Sequence, residues 1–148
     1  MLKTIVAIII VIMIIGLIRW FNQPKTMSET PEQEFGLGTI EGSLSYPSEF
    51  IPFDMEVCAQ NVSTRELYCT SEHIKNSKYT YGVGYKIEVP AGDYYVYAST
   101  QMVPGYKAYY SESVTCSQGS GCFSHDPIRV KVSSGKTVSG VDPQDWYK

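Results

Sequence analysis

The chain has 148 residues, with 12 Lys and Arg against 15 Asp and Glu and a net charge of −3. That balance lacks the basic excess a nucleic-acid surface requires, and the length suits one core better than two. Four cysteines and twelve tyrosines are its compositional peculiarities.

The first element is an apolar run from Ile5 to Ile18, flanked by Lys3 on one side and Arg19-Trp20-Phe21 on the other. Leu2 through Phe21 gives about twenty positions, roughly 30 Å of helix, enough to cross a bilayer. Lys3 and Arg19 can reach head groups, and Trp20 and Phe21 suit the interface. A core helix would carry a polar face, which this run does not. The small-x-small site that a signal peptidase needs is missing from Ile18-Arg19-Trp20-Phe21-Asn22-Gln23-Pro24, and no cysteine follows closely enough for a lipoprotein signal. Residues 1–21 therefore read as an uncleaved transmembrane signal anchor, with the lipid bilayer as partner of residues 2–21. Small-xxx-small spacing for helix pairing is missing from it.

Residues 22–37, NQPKTMSETPEQEFGL, offer two prolines, short polar residues and little to bury, and read as a flexible linker. Flanking charge is nearly balanced, with the amino terminus and Lys3 facing Arg19 and Lys25, so it does not orient the anchor. The cysteines do. Four in a small domain without ligand-like CxxC spacing point to disulfides and an oxidising compartment, which puts the N-terminus in the cytoplasm and residues 38–148 in the periplasm or outside the cell.

Residues 38–148 alternate short β-branched and aromatic segments with Gly, Pro, Asn, Asp and Ser clusters, the pattern of an all-β antiparallel sandwich, prealbumin-like or immunoglobulin-like. The expected strands are Thr39 to Tyr46, Met55 to Asn61, Glu66 to Thr70, Tyr85 to Val89, Tyr94 to Thr100, Lys107 to Glu112, Ile128 to Ser133 and Thr137 to Val141, seven or eight in two sheets. Period-two alternation puts Tyr85, Ile87 and Val89 on one face, and Arg129 and Lys131 opposite Ile128, Val130 and Val132. It turns Tyr94, Val96 and Ala98 inward and leaves Tyr95 and Tyr97 outward. Pro90-Ala91-Gly92-Asp93 reads as a tight connection with Gly92 at positive φ, and Ser134-Gly135-Lys136 as a further hairpin turn.

Several of these pieces, Gly38-Thr39-Ile40-Glu41-Gly42-Ser43-Leu44, Ile51-Pro52-Phe53-Asp54-Met55-Glu56-Val57, Tyr85-Lys86-Ile87-Glu88-Val89-Pro90-Ala91-Gly92-Asp93-Tyr94 and the closing Ile128 to Val132 strand ahead of Ser133 to Val138, together resemble the carboxypeptidase regulatory-like domain. That is a prealbumin-like β-sandwich of secreted and envelope proteins, and the resemblance runs from Gly38 to Asp145. The family's Thr-Asp-x-x-Gly turn is replaced here by His73 to Gly84, and the cysteines are not a general family feature. The resemblance implies a non-catalytic module that stabilises, positions or binds.

Antiparallel pairing centred between Ser63 and Thr64 would set Cys58 opposite Cys69, and Cys116 and Cys122 enclose a loop that closes easily. These two pairs are the favoured disulfides among three possible connectivities. Metal binding, with only His73 and His125 as imidazoles, is the weaker reading of the cysteines, and neither a metal nor a cofactor is expected. His125-Asp126 reads as turn residues before Pro127. There is no Gly-x-Ser-x-Gly elbow, HExxH, phosphate loop or dinucleotide fingerprint, so no catalytic residue is assigned and the domain is read as not an enzyme. Asn61-Val62-Ser63 is a sequon that matters only in a eukaryotic secretory host.

Tyr95, Tyr97 and Tyr109 form the candidate binding surface, since amphipathic rings on an outer face suit protein or sugar. The leading functional expectation is a structural or protein-interaction module, an accessory subunit beside another membrane or envelope protein; the alternative is a carbohydrate-binding surface module using these tyrosines. A groove with polar neighbours would favour sugar, a flat apolar patch protein, and a convergent Ser, His and Asp set in a pocket an enzyme. The full-length chain is expected to sediment with membranes and keep its complete N-terminus; recovery in the soluble fraction with a shortened N-terminus would overturn the anchor.

Overall fold

The computed structural model describes residues 36–116 and 123–147. The expected anchor at 1–21 and the linker as far as residue 35 lie outside them. Among the described residues no helix is long and apolar enough to cross a membrane.

Nine strands and one short helix are present among the described residues: β1 (Leu37–Ser43), β2 (Glu56–Asn61), β3 (Leu67–Thr70), β4 (Ile74–Lys75), β5 (Val83–Pro90), β6 (Gly92–Ser99), β7 (Ala108–Tyr109), α1 (Glu112–Thr115), β8 (Val130–Val132) and β9 (Thr137–Val138). They form two sheets, ordered β4-β5-β1-β9 and β3-β2-β6-β7, with β8 also on β6. All eight expected strands are found, most of them trimmed at their ends. The added β4 lies inside the His73 to Gly84 segment.

Alternation works as the pleat requires. Ile40, Tyr85, Ile87 and Val89 from one sheet meet Val57, Ala59, Tyr94, Val96, Ala98, Val130 and Val132 from the other in a single buried cluster, while Lys86, Glu88, Arg129 and Lys131 stay exposed. Tyr85 is fully buried, and its hydroxyl donates to the Val141 carbonyl at 2.7 Å, so the phenol enters the core without an orphaned oxygen. Burial raises its pKa well above the ordinary tyrosine value, with the nearby Asp142 carboxylate adding to the effect.

Three expectations about connections are corrected. Gly92 is not among the glycines at positive φ; a side chain there would instead come within 3.1 Å of Asn61 Nδ2. Ala91 alone links β5 to β6, and because those strands belong to different sheets the chain crosses the sandwich there. Ser134-Gly135-Lys136 is a turn, with Gly135 at φ 66°, but it closes no hairpin, since it carries the chain from β8 in the second sheet to β9 in the first. Nor is every pairing antiparallel: β9 runs parallel to β1, Thr39 facing Thr137 and Ile40 facing Val138.

One edge of β6 is shared. Tyr97 and Ala98 pair with β7, and Gly92 to Tyr94 pair with β8. Between these stretches the chain leaves the sheet through α1 and returns at the Ser111–Pro127 bridge, which is why the strand expected over Lys107 to Glu112 stops at Tyr109.

The register gives the sandwich two unlike poles. Leu37 faces Pro90, and Asn61 faces Tyr94, at the pole where the chain enters. Ser43 faces Gly84, and Glu56 faces Ser99, at the opposite pole, about 20 Å away along the seven residues of β1. Beyond β9 the final segment runs to that distal pole, where a Cβ on Gly42 would strike the Val141 carbonyl. Gly42→Ala is expected to lower stability by about 1–3 kcal/mol, read as the midpoint of urea unfolding; an unchanged midpoint would show that the final segment does not close against β1.

Candidate functional site

The predicted binding surface is present as a face but not as an open platform. Register aligns Cys69, Cys58, Tyr97 and Tyr109 in one row across β3, β2, β6 and β7, with Leu67, Gln60 and Tyr95 in the next. Cys58 and Cys69 form the expected disulfide. Of the other expected pair, Cys116 is not a free thiol and Cys122 lies outside the described residues. Tyr97 does lie on the outer face, yet it is only 4% exposed, which corrects its assignment to a binding surface. The Tyr109 ring sits 5.4 Å away on one side, and Lys107 Nζ stands 4.3 Å above the ring. Cys58 lies opposite it across the register. Such a cation over a phenol ring is itself attractive, so the row packs on itself. Tyr95 and Tyr109 remain half-buried.

Glu56 Oε2 lies 3.6 Å from Cys58 Sγ. Glu56, Cys58 and Cys69 are close enough to suggest a metal site, but both sulfurs are joined to each other, and metal coordination needs thiolates. Asn61 of the sequon is committed to the β2–β3 turn: its Oδ1 accepts from the Ser63 and Thr64 amides, both at 2.9 Å.

A Ser, His and Asp set does converge, though not the pair adjacent in sequence. Asp145, 3% exposed, accepts from Ser111 Oγ at 2.7 Å and lies 2.9 and 3.0 Å from His125 Nδ1. The order is hydroxyl, carboxylate, imidazole. An acyl-transfer triad needs the imidazole between the other two, so that it can take the hydroxyl proton. Here Ser111 is fully buried and gives its proton to the carboxylate, while accepting from Ser113 Oγ at 2.8 Å. The group is a latch. Together with the Asp145 amide on the Tyr109 carbonyl and Tyr106 OH on the Asp145 carbonyl at 3.2 Å, it fixes the chain just before Trp146.

What the latch holds in place is an aromatic cleft at the distal pole. Tyr46, Phe50, Tyr81, Trp146 and Tyr147 line it, with Ser45, Ser48, Glu49, Lys75, His73 and Gln144 between them, and its volume is about 720 Å³, within the range of small-ligand sites. Trp146 is clamped: Nε1 donates to the Ser45 carbonyl at 2.8 Å, the ring stacks on Tyr106 at 6.0 Å, and Tyr46 meets it edge-on at 5.0 Å. Phe50, Tyr81 and Tyr147 remain exposed. Sequence reasoning left Phe50, Tyr81, Trp146 and Tyr147 out of the candidate site because they sit outside the expected strands. The available signal was aromatic residues placed in turn-rich segments, where nothing requires them for a core.

Beside the cleft, Asp54 ties two loops together by accepting from the Gln101 amide at 2.8 Å and from Thr100 Oγ1 at 2.9 Å. The Gln101 amide, followed by the Thr100 hydroxyl, holds the Asp54 pKa below the usual carboxylate value. This tie brings the loop of Phe53 to the loop of Met102 and Val103, all three exposed.

Comparison of the chain with protein-family models, with curated proteins and with solved structures finds no match.

Asp145→Ala removes the acceptor of a fully buried hydroxyl, so a loss of about 1–3 kcal/mol is expected. In a Trp20→Phe background Trp146 is the remaining tryptophan, and its emission should shift to the red as the final segment detaches. Native emission together with unchanged stability would overturn the latch.

Proposed function

We propose that the chain is a tethered, extracytoplasmic, non-catalytic protein-interaction module, anchored by residues 2–21 and presenting its distal pole to another membrane or envelope protein as an accessory subunit. The observation that carries this reading is the grouping of Phe53, 94% exposed, with Met102 and Val103, 57% and 39% exposed, on loops that Asp54 ties together at the pole away from chain entry. Large apolar side chains gathered on a loop ridge are a contact surface rather than scatter. None of these three residues lines the cleft, and an exposed apolar group outside a pocket favours a protein partner.

The inverted order of Ser111, Asp145 and His125, with the serine fully buried, supports a non-catalytic role, as does the resemblance to regulatory-like sandwich domains. A disulfide between Cys58 and Cys69 suits an oxidising compartment, and sixteen residues of linker would let the domain reach a neighbour.

A photo-crosslinking amino acid in place of Phe53 or Met102 is expected, in native membranes, to yield one discrete protein adduct that Val103→Asp abolishes. The same probe at Arg65, on the turn at the entry pole, should give none. Adducts indifferent to Val103→Asp, or equal at all three positions, would overturn the ridge as an interface.

A further inference from the structure

The aromatic cleft is a separate feature from the ridge, and its lining is mixed in a way a protein-docking patch is not. We propose that it is a binding site for a neutral carbohydrate chain. Pyranose rings expose C–H faces that lie well on aromatic rings, and hydroxyls that need hydrogen-bonding groups at the rim. The cleft provides both. Phe50, Tyr81 and Tyr147 hold exposed ring surface, and Glu49, Lys75 and Gln144 line the same space. Carboxylate, ammonium and amide together can accept and donate to neighbouring hydroxyls.

The competing ligand classes fit less well. An acyl chain or other apolar ligand would leave the Glu49, Lys75 and Gln144 heads dehydrated without partners. An anion would meet the Glu49 carboxylate as well as the Lys75 ammonium, two lining groups whose charges cancel. An extended peptide adding to the sheet edge at the cleft would find β4, two residues long, too short for a ladder. A sugar chain needs neither a net charge nor a free edge.

Preorganisation points the same way. Trp146 is fixed by a hydrogen bond, a stacked ring and an edge contact, and the backbone before it is fixed by Asp145, so the cleft floor costs little further ordering when a ligand arrives.

The test uses the full-length chain with Trp20→Phe in a phosphocholine detergent, which carries no sugar of its own. Maltohexaose, cellohexaose and chitohexaose are the probes. At least one is expected to shift Trp146 emission saturably, and Tyr81→Ala or Phe50→Ala, both at exposed side chains, should weaken it by about tenfold or more while far-ultraviolet circular dichroism stays unchanged. Val103→Asp should leave the affinity as it was. No saturable shift with any of the three probes up to their solubility limits would overturn the proposal, and so would binding unaffected by both cleft substitutions. A lost sugar response with crosslinks retained at positions 53 and 102 counts against the cleft alone, whereas lost crosslinks with a retained sugar response count against the ridge alone.

Discussion

A carboxylate taken out of water must be given donors, and Asp145 receives two from side chains, the Ser111 hydroxyl and the His125 imidazole. Each hydrogen bond to a charged group contributes about 1.5–3 kcal/mol, against a desolvation cost of several kcal/mol for a single buried ion. The pair of donors roughly offsets that cost, so the geometry is tolerable only when both are present. That condition fixes the final segment. Val141 adds to β1 through Glu41, Asp142 accepts from the Ser43 amide at 2.6 Å, and the Asp145 amide reaches the Tyr109 carbonyl. One irregular strip therefore bonds to both sheets. Without it Trp146 has no fixed position, Ser45 loses its indole partner, and the cleft loses its floor.

The same logic explains why the distal pole can carry exposed aromatic groups without collapsing. Loops with apolar side chains tend to fold back onto the core unless their backbone is tied elsewhere. Asp54 ties two of them, Ser43 Oγ and Thr80 tie a third through the Thr80 amide at 3.0 Å, and the final strip is tied by Asp145. Polar bonds at the base of each loop hold apolar groups at its tip in water.

Much of the sandwich was legible in the sequence, because alternation and turn chemistry act locally. The register of β2 and β3 followed from the cysteines, since a turn centred between Ser63 and Thr64 places Cys58 against Cys69, as found. The inward set Tyr85, Ile87, Val89, Tyr94, Val96 and Ala98 followed from period two. Alternation assigns a side of the sheet, however, and not what lies above it: Tyr97 is outward and still covered by Lys107 and Tyr109, contacts that no spacing encodes. Turn residues look alike whether the strands they join stay in one sheet or not, so Ser134-Gly135-Lys136 read as a hairpin. Strand direction is equally silent, which hid the parallel β1–β9 pair. The latch was illegible for a different reason. Ser111 and His125 stand 34 and 20 positions from Asp145, and only the assembled sandwich brings them to it.

The two poles differ in a way that local rules do not demand. At the entry pole the turns are Ser63-Thr64-Arg65-Glu66 and Ser133-Ser134-Gly135-Lys136, polar and short, as loops facing water usually are. At the distal pole Phe50, Phe53, Tyr81, Met102, Val103 and Tyr147 are exposed together. Each exposed apolar group forgoes about 25 cal/mol for every Å² left in water, and Ser or Asp would serve the same turns at less cost to solubility. A sandwich needing only to be stable would place polar residues at both ends. Leu37 and Leu67, exposed on the entry side, are single side chains on strands and form no such group. The asymmetry therefore lies in the loops, on the end held farthest from the point of entry, where contact with another molecule would bury it.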